Sequence, residues 1–203
     1  MIEGPGLLQE LKAKIPRLRR PLVLVGLMGA GKTSVGKRLA HLLGVGFVDS
    51  DAEIERAAGM TIPEIFAKLG EPAFRDGERR VIARLLTEQP GVLATGGGAF
   101  IEPRTRTEIA AHGTSVWIRA DLELLWDRVR DRPGRPLLRA PDPKTVLGDL
   151  LERRYPIYAE ADVVVDSRPG VSQEWMARDI VRAVREWDAG RPGSPATFEE
   201  CVG

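Results

Sequence analysis

The feature that most constrains the fold of this chain is a phosphate-binding loop placed between a strand and a helix. Residues 26–33 read Gly-Leu-Met-Gly-Ala-Gly-Lys-Thr, which matches the pattern G-x-x-x-x-G-K-[ST]. A continuous apolar run at 21–25 precedes the loop, and apolar residues between 33 and 43 recur at helical spacing. Glycines allow consecutive backbone N–H groups to turn towards phosphate oxygens, and a helix N-terminus attracts anions. The sequence therefore predicts an α/β fold that binds a nucleoside triphosphate.

Two side chains of the loop have their own roles in this prediction. Lys32 supplies a mobile positive charge for the β- and γ-phosphates, and the Thr33 hydroxyl can ligate Mg²⁺. The expected cofactors are thus ATP and Mg²⁺. We expect the nucleotide to contact the loop and the first helical turn at Gly29, Ala30, Gly31, Lys32, Thr33 and Ser34.

The rest of the sequence indicates one α/β domain. Apolar runs of strand type lie at 21–25, 45–48, 92–95, 115–118 and 162–165. Helical patterns lie between them at 32–43, 51–58, 62–70, 75–88, 102–111, 121–131 and 144–158. This alternation predicts a three-layer α/β/α fold with a five-stranded parallel sheet, whose ligands bind at the carboxyl ends of the strands. We expect this domain at 21–188, an N-terminal extension at 1–20 and a disordered tail at 189–203.

Composition excludes several classes of partner. The formal net charge is only +1, so neither nucleic acid nor a membrane surface is an expected partner. The chain has a single cysteine, Cys201, and no apolar stretch of the length that spans a membrane. We therefore expect a cytoplasmic protein.

Polar and glycine residues follow the second and third predicted strands. Asp49 and Asp51 lie two residues apart on an extended segment, so one carboxylate can serve Mg²⁺ and the other a substrate hydroxyl. Alternatively, Asp51 caps the helix that begins at Ala52. Residues 96–98 are three glycines that bring bare N–H groups to the ligand edge, or else form a plain flexible turn.

Arginines supply the expected cations. Arg75 and Glu78 are three residues apart on a predicted helix, so the carboxylate can orient the guanidinium towards a substrate carboxylate. A solvated surface ion pair is the alternative. The stretch at about 128–140 contains Arg135 among prolines and glycine, which predicts a mobile lid that closes over the phosphates. A solvated basic loop is the alternative interpretation of that stretch.

In their order along the chain, these motifs resemble the shikimate kinase family of the P-loop, nucleoside monophosphate kinase-like group. The resemblance covers about 21–187. It rests on the phosphate loop, Asp49-Ser50-Asp51, Phe74-Arg75-x-x-Glu78, the three glycines, Arg135-Pro136-Leu137-Leu138 and Arg154-Tyr155-Pro156-Ile157-Tyr158. Many NTPases share the phosphate loop alone, whereas the ordered set is specific.

The resemblance implies a role for each matching residue. Lys32, Asp51 and the lid residue Arg135 would act in catalysis, and Thr33 with Asp49 would hold Mg²⁺. Near the nucleotide, Arg128 would pack on adenine, with Arg168 as a weaker match. The implied acceptor site contains Asp51, Phe66, Phe74, Arg75, Glu78, Gly96, Gly97, Gly98 and Arg154.

The implied acceptor is shikimate, with Asp51 on its 3-hydroxyl and with Arg75, Arg154 and the Gly97 N–H on its carboxylate. The implied reaction is ATP- and Mg²⁺-dependent formation of shikimate 3-phosphate by a monomeric enzyme of aromatic amino-acid biosynthesis. One alternative is another small-molecule P-loop kinase, such as a gluconate-type kinase, which would share the loop and lid but not the acceptor motifs. The other is a non-catalytic module that senses shikimate or ATP, which would lack catalytic groups that are present here.

Overall fold

A five-stranded parallel sheet forms the centre of the computed structural model, which describes residues 16–88, 90–131 and 141–199. Its five strands are β2 Leu22–Val25, β3 Phe47–Asp49, β4 Val92–Ala94, β5 Thr114–Arg119 and β6 Val163–Asp166. The strand order is β3-β4-β2-β5-β6, and every neighbouring pair is parallel. All four residues of β2 are buried, as expected for a central strand covered on both faces. The predicted five-stranded parallel sheet is confirmed.

Helices cover both faces of this sheet, which confirms the predicted three layers. They are α1 Lys32–Leu43, α2 Ser50–Ala58, α3 Ile62–Thr87, α4 Pro103–His112, α5 Leu122–Val129, α6 Pro143–Tyr158 and α7 Gln173–Ala189. α1 packs on α7, and α3 packs on α4. A 3₁₀ turn, Ala99–Ile101, joins β4 to α4. Among the described residues, no helix is both long enough and apolar enough to cross a membrane.

Helix α3 unites two segments that the sequence separates. The predicted helices at 62–70 and 75–88 form one element, with a kink at Gly70, where φ is 79°. The helix begins at a capping box in which Thr61 and Glu64 exchange hydrogen bonds. Beneath the kinked region, Ile54 and Ile65 form a small apolar cluster that is separate from the main core. This cluster joins α2 to α3 at one side of the ligand edge.

The last helix, α7, was not among the predicted helices, because those were assigned only between predicted strands. Its sequence nevertheless carries the helical signals. The Ser172 side chain accepts a hydrogen bond from the Trp175 N–H and so caps the helix. The buried residues recur on one face at Met176, Ala177, Ile180, Val181 and Val184.

The two ends of the described chain meet in a terminal clasp, residues 17–20 and 197–199. Strand β1, Arg17–Leu18, pairs antiparallel with β7, Phe198–Glu199. The Asp188 carboxylate accepts hydrogen bonds from the Thr197 N–H and hydroxyl and from the Phe198 N–H. These bonds hold residues 197 and 198, which lie within the tail at 189–203 for which the sequence predicts disorder. Composition alone could not reveal a partner so distant in sequence.

Candidate active site

The phosphate loop leaves the carboxyl end of β2 and leads directly into α1. Gly26, Gly29 and Gly31 have φ angles of 134°, 82° and 100°, which residues with side chains rarely adopt. The Lys32 ammonium donates hydrogen bonds to the carbonyl oxygens of Gly26 at 2.8 Å and Leu27 at 2.9 Å. The lysine charge is therefore held directly over the loop, where an anion in the loop would meet it.

Thr33 and Asp49 place two oxygen ligands beside the phosphate loop. The Thr33 hydroxyl donates to Asp49 Oδ2 at 2.9 Å, and Asp49 Oδ1 accepts from the Asp51 N–H at 3.1 Å. Asp49 is thus the cap of α2, and the alternative in which Asp51 caps this helix is wrong. A hydroxyl and a carboxylate are ligands that suit Mg²⁺, which in kinases takes few protein ligands alongside substrate phosphates. The described residues contain no cluster of three or more acidic, histidine or cysteine side chains that could hold a metal.

The carboxylates of Asp51 and Glu78 lie close together against the glycine segment, residues 96–98. Burial raises the pKa of Asp51, and the neighbouring charge of Asp49 raises it further. Glu78 is only 1% exposed, and this burial raises its pKa even though Arg75 acts in the opposite direction. The Gly96 N–H donates to the Ser50 hydroxyl at 3.2 Å, which ties the glycine segment to the start of α2. The site thus concentrates acceptors for a hydroxyl-bearing ligand.

Arg75 is held by two carboxylates of its own helix. Its Nη1 donates to Glu78 Oε2 at 2.7 Å, and its Nη2 donates to Glu71 Oε1 at 3.2 Å. The alternative of a solvated surface pair is wrong for Arg75 and Glu78, because the Glu78 side chain is only 2% exposed. Arg75 Cζ also lies 5.1 Å from the centre of the Phe74 ring. A guanidinium fixed in this way is oriented before any substrate arrives.

Helix α6 brings a second arginine to the same edge. Arg154 Nη1 donates to the Gly97 carbonyl at 3.0 Å, and the Tyr158 hydroxyl donates to the same oxygen. Tyr158 is fully buried, which raises its pKa to about 12 and keeps the phenol neutral. The sequence predicted a role for the Gly97 N–H, whereas the observed contacts use its carbonyl; the N–H contact with substrate stays a prediction.

Two cavities meet at the glycine segment. The first, of about 350 Å³, is lined by the phosphate loop, Asp49, Asp51, Gly96, Gly97, Arg128, Ser167 and Val171, among others. The second, of about 640 Å³, is lined by Glu71, Pro72, Arg75, Asp76, Arg79, Gly98, Ile101, Glu102, Arg104 and Arg154. A molecule that spans them would have one end at Asp51 and the other between two arginines.

Of the arginines predicted around the nucleotide, the structure places one in the first cavity. Arg128 donates to the carbonyls of Gly29 and Ala30 and, at 3.0 Å, to the Ser167 hydroxyl. It belongs to the last turn of α5, so any lid begins after that helix. Arg168 is exposed, and the cavity lining at this point consists of Ser167 and Val171. Arg135 lies outside the described residues.

The two predicted aromatic walls lie on α3 and away from both cavity linings. Phe74 is 5% exposed and packs in the small cluster with Ile54 and Ile65. The Phe66 ring centre is 4.5 Å from that of Phe74, and Phe66 is 37% exposed. In this arrangement Phe74 packs beside the Arg75 guanidinium and is not part of the lining of the second cavity.

Sequence reasoning missed Ser50, Tyr158 and Arg104 as residues of the site. Tyr158 had a usable signal, because it lies one helical turn after Arg154. Ser50 stands between two predicted aspartates, but nothing in its neighbours indicates that its hydroxyl accepts from a glycine N–H. Arg104 reaches the second cavity only because α4 starts there, which depends on the tertiary fold.

Comparison with known proteins gives a consistent result. The model of the family described as "Shikimate kinase" matches residues 28–185. A shikimate kinase of Paramagnetospirillum magneticum is 58% identical over 177 residues, covering 85% of this chain and 91% of the relative. A shikimate kinase of Caulobacter vibrioides is 60% identical over 152 residues, covering 75% and 76% of the two chains.

Solved structures agree with the sequence relatives. Shikimate kinase from Acinetobacter baumannii in complex with shikimate superposes with a TM-score of 0.78 at 41% identity, covering 82% of this chain and 93% of that one. A gluconokinase from Sinorhizobium meliloti has a TM-score of 0.55 at 18% identity, covering 86% and 96%. The second similarity extends to the fold alone.

Proposed function

The chain belongs to the shikimate kinase family, and we propose that it transfers the γ-phosphoryl group of ATP to the 3-hydroxyl of shikimate. The products are shikimate 3-phosphate and ADP, as a step in aromatic amino-acid biosynthesis. One observation carries the proposal. The phosphate loop and Asp51 line one cavity, Arg75 and Arg154 line a second, and the three glycines 96–98 lie between the two.

The nucleotide half of the site binds ATP and positions Mg²⁺. The loop N–H groups and Lys32 bind the phosphates, and Arg128 lies where it can contact the base, beside Ser167. Thr33 and, through water, Asp49 would hold Mg²⁺, which supplies positive charge to the phosphate oxygens when it is bound. Their hydrogen bond of 2.9 Å supports this assignment, because it keeps the two oxygens close to each other.

The acceptor half matches the chemistry of a hydroxylated carboxylate. Arg75 and Arg154 bind the carboxylate, and their hydrogen bonds to Glu78 and Gly97 orient them before binding. Asp51 accepts the hydrogen bond of the reacting hydroxyl from the other end. A ligand that lacks one of these groups would leave a buried partner unpaired, at about 1–3 kcal/mol each. Specificity for the acceptor follows from that cost.

Transfer itself requires positioning and charge stabilisation. The transition state of phosphoryl transfer is loose, so Asp51 contributes mainly by orienting the hydroxyl towards the γ-phosphorus. The Lys32 ammonium stabilises the negative charge that develops on the transferring phosphoryl group. Arg135, in the arginine-rich stretch, would add a cation when that stretch closes over the phosphates.

The enzyme is proposed to be a cytoplasmic monomer, with no nucleic-acid or membrane partner. ATP and a single cysteine are compatible with that compartment. Size-exclusion chromatography with light scattering checks the oligomeric state, and a mass near 22.3 kDa is expected.

The deciding experiment is an ADP-release assay with shikimate, quinate, gluconate and nucleoside monophosphates offered in turn. Turnover is expected with shikimate, and its loss is expected on addition of EDTA with recovery on addition of Mg²⁺. Turnover with gluconate or a nucleotide and none with shikimate would refute the proposal. Shikimate binding without any turnover would instead favour a sensing module.

A further inference from the structure

The glycine segment 96–98 does not need glycine for its backbone shape. Among the described residues, the glycines with positive φ are elsewhere in the chain, and the Gly98 backbone is helical, with φ of −99° and ψ of −16°. In the phosphate loop the opposite holds, because Gly26, Gly29 and Gly31 have conformations that side chains disfavour. A different constraint must act on residues 96–98.

That constraint is the close approach of two charged side chains. A Cβ atom built on Gly98 would lie 2.6 Å from Nη1, 2.7 Å from Nη2 and 2.9 Å from Cζ of Arg75. A Cβ on Gly96 would lie 2.5 Å from Asp51 Oδ1 and 3.1 Å from Glu78 Oε1. Real Cβ atoms essentially never come within 3.0 Å of a heavy atom outside their own residue and its two chain neighbours. By contrast, a Cβ on Gly97 meets only ordinary contacts of 3.6 Å or more.

The segment has little freedom to move away from these side chains. The Gly96 N–H donates to Ser50 Oγ, and the Gly97 carbonyl accepts from Arg154 and Tyr158. The carbonyls of Gly96 and Gly98 accept from the N–H groups of the 3₁₀ turn that follows, each at 3.1 Å. An added methyl group would therefore displace the side chain, which ends in a movable carboxylate or guanidinium, before it displaced the backbone.

We infer that Gly96 and Gly98 are positioning residues, which fix Asp51 and Arg75 by giving each a flat, side-chain-free surface to lie against. The inference rests on the proposed function for the roles of Asp51 and Arg75. It assigns a separate task to each glycine. Gly96 sets the position of the group at the reacting hydroxyl, and Gly98 sets the position of the group at the substrate carboxylate.

The two glycines are expected to affect different constants. Gly98→Ala should weaken shikimate binding about tenfold or more, because a charge-assisted contact is misplaced, and leave the KM for ATP unchanged. Gly96→Ala should lower kcat on the order of 10- to 100-fold, with less effect on the Kd of shikimate. Gly77→Ala is the matched control, since a Cβ at Gly77 on α3 meets nothing within 4 Å, and both constants should stay within about twofold.

A double-variant cycle tests whether Gly98 acts through Arg75. The Kd of shikimate is measured by calorimetry for the wild type, Gly98→Ala, Arg75→Ala and the double variant. If the inference is right, Gly98→Ala has no further effect once the guanidinium is absent. Additive losses would overturn it. Should Gly98→Ala lower the Tm, the double variant should restore it, and a Tm that stays low would also overturn the inference.

The cycle separates this inference from the proposed function. An unchanged Kd in Arg75→Ala would refute the proposed carboxylate contact. In that case a crystal structure of Gly98→Ala still decides the inference, because it predicts a displaced guanidinium over an unmoved backbone. A guanidinium in its original place beside the new methyl group would refute it.

Discussion

Asp51 and Glu78 show how burial and charge act together on single residues of this site. Both carboxyl groups face the glycine segment, and burial raises the pKa of each. The Arg75 guanidinium donates to the Glu78 carboxylate at 2.7 Å, whereas the Asp51 carboxylate keeps oxygens that can accept a hydrogen bond from a ligand. Of these two carboxylates, Asp51 is therefore the one without a short ion pair to another described residue, and it is the one proposed to accept from the substrate hydroxyl.

Replacing Asp51 tests its role in transfer. Asp51→Asn keeps the size of the side chain and removes the charge, so kcat should fall about 10²- to 10⁴-fold while the KM for ATP changes little. Steady-state ADP release measures both constants. Asp127→Asn on the exposed side of α5 serves as the control. Unchanged turnover in Asp51→Asn would show that the carboxylate has no part in the reaction.

The raised pKa of Glu78 predicts a pH dependence of stability. Because the folded state holds this proton more tightly than the unfolded chain, wild type loses stability as pH rises above about 4.5 through the raised pKa. Glu78→Gln does not titrate, so the stability of wild type relative to Glu78→Gln should decrease over that window. Urea unfolding at a series of pH values measures the difference.

Glu53 provides a control of opposite sign. Its hydrogen bonds to Arg56 and Arg84 lower its pKa, so wild type should lose stability relative to Glu53→Gln as pH falls below about 4.5. The same sign in both variants would contradict the assigned burial of Glu78.

At the residue scale, spacing predicted contacts along the chain better than contacts across it. The offset of three residues was enough to pair Arg75 with Glu78. Nothing in the sequence around residue 98 indicates that a guanidinium lies against it, because that approach depends on where α3 meets the end of β4. For the same reason, the predicted contact of the Gly97 N–H with the substrate carboxylate gave no indication that the Gly97 carbonyl accepts from Arg154 and Tyr158.

Among the elements, α1 and α7 differ in how well the sequence predicts them. The bounds 32–43 of α1 were predicted correctly, since the helix starts after Gly31 and ends at Gly44, whose φ of 66° is a common helix stop. The separate helices expected at 62–70 and 75–88 are one element because the chain resumes its helix after the single non-helical residue Gly70. Strands β1 and β7 have two residues each, too few for any periodicity to show.

The contact of α7 with the terminal clasp gives a prediction about stability. Asp188→Ala leaves the backbone N–H groups of Thr197 and Phe198 without this acceptor, so the free energy of unfolding should fall by about 1–3 kcal/mol. Activity should be retained, because the clasp lies at the amino ends of the strands. Urea unfolding and the ADP-release assay measure the two quantities.

Glu186→Ala on the same helix is the matched control. Its ion pair with Arg182 is more than 60% exposed on both sides, so its removal should leave the free energy of unfolding nearly unchanged. Equal decreases in the free energy of unfolding for Asp188→Ala and Glu186→Ala would mean that the clasp hydrogen bonds stabilise the fold no more than an exposed ion pair does.

On the scale of the whole molecule, the two cavities make nucleotide and acceptor binding separable. Each ligand at 100 times its Kd should stabilise the fold by about 2.7 kcal/mol, or roughly 5–10 °C in Tm. Arg75→Ala should lose the shift caused by shikimate and keep the shift caused by ADP with Mg²⁺. Thermal unfolding with each ligand alone measures this, and loss of both shifts would mean that Arg75 supports the whole site.

The architecture as a whole was predictable because its signals are local and repeated. Apolar strands alternating with helices dictate a parallel sheet, and a parallel sheet places the phosphate loop, Asp49 and the glycine segment at one edge. The ordered structure of the terminal clasp was not predictable in this way. Thr114, at the start of β5, shares a hydrogen bond of 2.8 Å with the Thr197 hydroxyl, and no local pattern connects them.

The terminal clasp also determines the order in which parts of the chain can fold. Arg19 and Glu199, joined by an ion pair of 2.6 Å, are 180 positions apart, so their contact requires almost the whole described chain. During synthesis the N-terminal part emerges first, and all five strands of the central sheet leave the ribosome before residue 197 does. The ligand edge can therefore form before the clasp covers the opposite end of the sheet. Among the described residues, the last to be synthesised are therefore the ones that complete the clasp.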